Sequence, residues 1–154
     1  MLAADPATQA TDETLREHAE RVAAALADGD QVDTDLLHGR LGLAWALLRT
    51  GRRLGRADWV ERATRSVRRS ADAVGPTTPR GWCNGAAGVA LVAAEAGLPT
   101  DTVERLVAAA TAVVPDGSVD LSVCHGEAGI AQVVSWIDRR AGRSPARARA
   151  HLDR

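Results

Sequence analysis

The chain has no lysine, no tyrosine and no phenylalanine, a single methionine at its start, and only two cysteines in 154 residues. Two cysteines cannot build the disulfide framework that staples small secreted domains. The fold must therefore rest on an ordinary apolar core, and this length suffices for one domain rather than two. With lysine absent, the 19 positive charges are all arginine and are balanced by 20 acidic residues. No electrostatic case for nucleic acid or an anionic membrane arises from that balance. Arg68-Arg69 and the arginines from Arg139 to Arg149 read as solvated helix faces. No apolar run approaches the roughly 20 residues of a membrane span, and Met1-Leu2-Ala3-Ala4-Asp5 lacks the basic start and apolar centre of a secretory leader. A cytoplasmic location is expected. In that reducing setting two cysteines bind metal, react or sit inert more often than they pair.

What is abundant is alanine, leucine and arginine, all good helix formers, and no segment alternates apolar and polar residues long enough for a strand. An all-α fold follows. Residues 1–10 read as a flexible start, and Thr11-Asp12-Glu13 as the cap of an amphipathic helix running to about Ala27 and stopped by Gly29. A second such helix spans Arg56 to Val74, with Trp59, Ala63, Val67 and Ala71 at fourfold spacing and Gly75-Pro76 at its end. The third, Val103 to Val113, is capped by Thr100-Asp101 and closed by Pro115-Asp116-Gly117. Residues 11–142 form the folded unit, and 143–154 a polar tail with helical character.

Between these helices lie three almost wholly apolar ones that share an opening sequence. Leu37-His38-Gly39-Arg40-Leu41-Gly42, Cys83-Asn84-Gly85-Ala86-Ala87-Gly88 and Cys124-His125-Gly126-Glu127-Ala128-Gly129 align without gaps, their first glycines 46 and 41 residues apart. A repeat of that length is one helical hairpin: an inner helix opened by Gly-x-x-Gly, then an amphipathic outer helix leading to the next. Packing through small residues alone would account for the glycines. The polar residues add more, because equivalent slots of rotationally related repeats lie at one end of the ring. That places Cys83, Cys124, His125 and His38 together.

Thiolate and neutral imidazole are the donors zinc prefers, and three protein ligands with a fourth position free is the pattern of a catalytic site. Cys83, Cys124 and His125 supply that set, although cysteines 41 residues apart are not a zinc-finger spacing. Inert buried cysteines are the competing reading. A Cys83–Cys124 disulfide is a weaker one, since it leaves His125 unexplained. An open zinc position suits a substrate thiol, which a metal keeps ionised near neutral pH and ready to add to an electrophilic carbon. His38 is placed to carry the proton such an addition moves, with a helix-start capping role as its alternative. His18 and His151 lie on exposed-looking helical stretches and take no role.

Trp82-Cys83-Asn84-Gly85 and Cys124-His125-Gly126 resemble the Trp-Cys-x-Gly and Cys-His-Gly motifs of the lanthionine synthetase C-like cyclases, where they carry the three zinc ligands. His38-Gly39-Arg40-Leu41-Gly42 is similar to the upstream His-Gly motif, whose histidine is a proposed acid/base residue. The resemblance runs from about residue 36 to 137. It implies an α/α toroid, a zinc ion, and addition of cysteine thiols of a dehydrated precursor peptide to dehydroalanine or dehydrobutyrine, giving thioether rings. Arg80 stands near the arginine that often precedes the family's Trp-Cys. Family domains are much longer and carry further hairpins, so these three repeats are expected to form a partial toroid. Its uncovered ends point to a second copy or a complementary cyclase or synthetase chain as partner, with no nucleic acid and no membrane. A zinc-binding helical fragment or subunit without catalysis, one that binds peptide or completes a toroid with another chain, is the alternative function.

Overall fold

In a computed structural model, residues 6–27, 32–113 and 120–153 are described. The expected stops at Gly29 and at Pro115-Asp116-Gly117 lie outside them. Among the described residues the fold is all-α, with seven helices: α1 Pro6–Ala27, α2 Arg40–Arg53, α3 Ala57–Ala73, α4 Ala86–Ala96, α5 Thr100–Ala110, α6 Glu127–Arg140 and α7 Ala146–Leu152. None of them is long and apolar enough to cross a membrane.

The expected alternation is present. α2, α4 and α6 each open at a Gly-x-x-Gly segment, and each packs on the helix that follows it, α3, α5 and α7. α1 lies against α2 and α3, burying Ala19, Ala23 and Leu26. Its first turn starts at Pro6 rather than at Thr11, because proline's fixed φ and missing N–H suit a first helical position. α5 likewise begins one residue after Pro99, with Asp101 in its first turn, where a carboxylate complements the helix dipole.

Among the described helices α4 alone has no exposed position. It packs against α2, α3, α5 and α6, and Ala86 through Ala90, Val92 and Ala93 are all buried. α2 and α6 were expected to be apolar all round as well. Each instead shows positions to solvent, among them Leu43 and Arg49 on α2 and Gln132 and Arg139 on α6. The reason is position: α4 has an inner helix on both sides, while α2 and α6 are the ends of the series.

The paired glycines are explained by close approach. A Cβ on Gly42, Gly88 or Gly129 would come within 2.1, 2.2 and 1.8 Å of the carbonyl oxygen six residues earlier, of Leu36, Trp82 and Val123 respectively. The first glycines pack as tightly on the residues that lead into each loop. At the equivalent position Ala86 N–H donates to Pro79 O (2.8 Å), Glu127 N–H to Asp120 O (2.7 Å) and Arg40 N–H to the Asp33 carboxylate (3.1 Å). Three sequences that look alike therefore make the same close approach, the first loop using the Asp33 side chain where the other two use a backbone carbonyl, and Gly85 alone of the three first glycines taking a positive φ.

The C-terminal arginines are not merely solvated. Asp138 is fully buried on α6 and accepts from Arg143 Nε (3.0 Å) and Arg147 Nε (3.2 Å), while Glu104 of α5 accepts from Arg143 Nη2 (2.7 Å) and Arg147 Nη1 (2.5 Å). This network pins α7 across α5 and α6. Burial pushes the Asp138 carboxyl upward, but the hydrogen bonds and charges of Arg147 and Arg143 outweigh it and hold it below the ordinary range. Glu104 is held low by its hydrogen bond to Arg147, against some desolvation, and by Arg143. A carboxylate lowered on folding stabilises fully above its unfolded pKa, about 4 for Asp and Glu, and loses that contribution as pH falls through its folded value. Thermal melts taken from pH 7 to pH 3 are therefore expected to fall in Tm below about pH 4, and Asp138→Asn to flatten the slope. An unchanged slope would remove these pairs from the stability account.

Candidate metal centre

The loops before α4 and α6 are tied together through one carbonyl oxygen. Trp82 N–H and Cys83 N–H both donate to Cys124 O, at 3.1 Å each. The loop before α2 joins in the same way, Leu36 N–H and Leu37 N–H donating to Cys83 O at 2.7 and 3.3 Å. Gly81 permits the approach: a Cβ there would lie 2.9 Å from His125 Cα and 3.1 Å from Cys124 O. Gly81 carries one signal in the sequence, its place one residue before Trp82.

That backbone lacing brings the expected donors together. Ligand atoms of Cys83, Cys124 and His125 all lie within 4.8 Å of one another. Zinc bonds of about 2.0–2.3 Å in a tetrahedral site put ligand atoms about 3.5–3.8 Å apart, a spacing that small side-chain rotations reach from here. Two sulfurs and an imidazole are also the right donors chemically. Both cysteines are free thiols, Cys83 buried and Cys124 half-buried, whereas His125 is exposed. Burial, then the hydrogen bond and charge of Cys124, pushes the Cys83 thiol up to about 11. A thiol so placed stays protonated near neutral pH unless a cation draws its proton off. The arrangement can therefore hold a metal.

The His125 loop has its own support. His125 N–H donates to Ser122 Oγ (3.2 Å), and Ser122 donates its N–H (2.8 Å) and hydroxyl (3.0 Å) to the Asp120 carboxylate. The Ser122 backbone and hydroxyl bonds lower the Asp120 pKa against partial desolvation, and the nearby His125 adds to the effect.

His38 is not among the converging donors. Its side chain is 84% exposed, its Nδ1 lies 3.7 Å from Asp35, and its backbone N–H is held by the same carboxylate at 2.8 Å. It follows Leu37, whose N–H reaches Cys83 O, so it stands beside the Cys83 and Cys124 loops without joining their donors. Arg80 is committed elsewhere: its guanidinium pairs with Glu127 and donates to Ala112 O at 2.5 Å. Glu127, the first residue of α6, also meets His151 of α7. His151, which looked exposed, is therefore buried, because α7 folds back over the start of α6. An acidic residue opening an otherwise apolar helix was the available sign of this cluster.

A family model described as lanthionine synthetase C-like protein matches residues 69–152, more than half of the chain. The match takes in both cysteine motifs and begins downstream of His38. No curated protein sequence matches the chain. The family match covers the two laced loops and the helices they open, and by it the chain belongs to the lanthionine synthetase C-like family.

Proposed function

We propose that this protein is a zinc-dependent cyclase that forms thioether rings in a dehydrated precursor peptide, working in the cytoplasm, where both cysteines stay reduced. The observation that carries the reading is the convergence of Cys83, Cys124 and His125 within 4.8 Å, inside the stretch that the family model matches. Zinc held by these three side chains would supply the Lewis acidity that keeps a bound peptide thiol ionised at neutral pH. The rest of the reaction falls to the chain. The thiol sulfur bonds to the β-carbon of dehydroalanine or dehydrobutyrine, and the C=C pair moves to the α-carbon, which takes up a proton. The thiol proton given up at the start balances it. His38, exposed outside the converging donors with its Nδ1 3.7 Å from Asp35, is the residue we assign to receive the one and deliver the other.

The test is conversion of a dehydrated, cysteine-containing peptide to a thioether product by the purified chain with zinc, read as loss of free thiol without change in peptide mass. His38→Ala is expected to lower turnover by about 10²–10⁴-fold, the usual size of general acid–base catalysis, with zinc content unchanged. Zinc retained without any cyclisation would instead support a non-catalytic zinc protein.

A further inference from the structure

Glu127 opens α6 two residues after His125, and Arg80 stands three residues before Cys83. An acid in a helix's first turn complements the dipole, and it can do so from the surface. Glu127 is placed otherwise: its side chain is only 14% exposed, one carboxylate oxygen pairs with the Arg80 guanidinium, and the other meets the His151 ring of α7. The loop itself does not call for an acid here. The equivalent slots of the other repeats hold Arg40 and Ala86, and Ala86, without charge, donates its N–H to Pro79 O just as Glu127 donates to Asp120 O.

Arg80 is a strut fixed at both ends. At its backbone end the carbonyl accepts from Ala87 N–H (3.1 Å) in the first turn of α4, between the Pro79 and Gly81 carbonyls, which accept from Ala86 (2.8 Å) and Gly88 (3.4 Å). At its far end the guanidinium holds Glu127 and also Ala112 O, just past α5. His151 steadies Glu127 from the other side, on a helix that Arg147 pins to Asp138 and Glu104. The loops that carry the metal donors are therefore joined twice, once through the Cys124 carbonyl that accepts from Trp82 and Cys83, and once through the Arg80–Glu127 pair.

We infer that Glu127 is a positioning residue of the metal centre, which sets the separation of Cys83 from Cys124 and His125 by holding Arg80 on one side and His151 on the other. It stands outside the converging donors and acts through the loops that carry them. A single shared carbonyl is a pivot; the second junction stops rotation about it. Without the carboxylate, the half-buried Arg80 guanidinium loses its anion, and a cation so placed turns toward solvent. The Pro79–Cys83 segment moves with it. This role presupposes the zinc centre proposed above, though not the cyclase reaction.

Zinc affinity of the full chain, by competition with a chromogenic chelator, and the absorption spectrum of cobalt(II) bound in place of zinc test this role. Glu127→Gln keeps the shape and loses the charge, while Arg80→Met keeps the stem and loses the guanidinium. Each is expected to stay helical by circular dichroism, to weaken zinc binding about 10–100-fold, the usual effect of losing a group that orients metal ligands, and to alter the cobalt spectrum. The double variant is expected to lose no more than the weaker-binding single one, because the two residues act through one pair. Should Glu127→Gln not fold, Arg80→Met alone decides. Arg105→Met controls for lost stability: Arg105 donates to Ala71 O (2.9 Å), joining α5 to α3 rather than the ligand loops, so its Tm should fall while zinc affinity stays at the wild-type value. Wild-type affinity in folded Glu127→Gln and Arg80→Met, losses that add in the double variant, or an equal loss in Arg105→Met would overturn the role and leave the zinc site standing. A wild-type chain that binds no zinc would overturn the site and this role with it.

Discussion

Cys124→Ala protein is expected to be purified folded and essentially free of zinc, where the wild type carries about one equivalent, as a three-ligand site implies. The substitution removes one of three donors and leaves the scaffold alone. The carbonyl of residue 124 still accepts from Trp82 and Cys83, and the half-buried side chain is replaced by a smaller apolar one. What remains is Cys83 and His125, and burial, the largest cause of the raised Cys83 thiol, persists in the variant, so that thiol stays a poor ligand near neutral pH without a cation. Loss of a mere supporting contact around a metal typically costs about 10–100-fold in affinity, so loss of a donor should cost more. Binding to the folded state alone stabilises by mass action, about 4 kcal/mol at a thousand times Kd. Added zinc should accordingly raise the wild-type Tm and leave that of Cys124→Ala unmoved. Equal zinc content in the two proteins, by metal analysis after dialysis, would remove Cys124 from the site.

Helix positions were legible because they rest on local chemistry. Capping residues, fourfold apolar spacing and Gly-Pro stops place α3 within a residue of its expected bounds, and the aligned Gly-x-x-Gly segments mark where α2, α4 and α6 begin. The donor set was legible for a related reason: repeats related by one operation put equivalent residues at one place, so two cysteines 41 residues apart could be read as neighbours. What the sequence hid depends on the third dimension. Gly81 matters only because His125 crosses it, and a glycine beside a tryptophan carries no sign of that. His151 and the Arg143 and Arg147 side chains looked solvated because the segment is short and polar, yet the buried Asp138 and the half-buried Glu127 draw them inward. A buried carboxylate on an inner helix needs a cation, and which arginine arrives is settled by the chain's return path rather than by spacing.

The largest effect on stability is expected from Gly85→Ala. Gly85 sits at φ 139° and ψ −167°, a region that side chains other than hydrogen essentially do not enter. Its Cβ would lie 2.1 Å from Pro79 O and 2.5 Å from Pro79 C. The obstruction cannot swing aside, because Pro79 O accepts the hydrogen bond from Ala86 N–H at 2.8 Å that starts α4, the most enclosed helix of the fold. Backbone strain of about 1–3 kcal/mol adds to a hydrogen bond worth about 1 kcal/mol net and to disrupted packing around Ala86 and Ala87. The sum reaches the exceptional range of about 4 kcal/mol or more, against a total stability of about 5–15 kcal/mol for a typical domain. In a chain this size that lowers Tm by more than about 8 °C. Gly75→Ala serves as the control, since nothing lies within 4 Å of a Cβ there and its φ is not positive, and it should stay within about 0.5 kcal/mol of wild type. The same displacement would move the Pro79–Cys83 segment off Cys124 O, so zinc affinity should fall together with stability in Gly85→Ala and in neither respect for Gly75→Ala. Paired melts and metal titrations of the two variants decide it, and a wild-type melting curve for Gly85→Ala would refute the close-packed loop on which both the repeat and the metal centre depend.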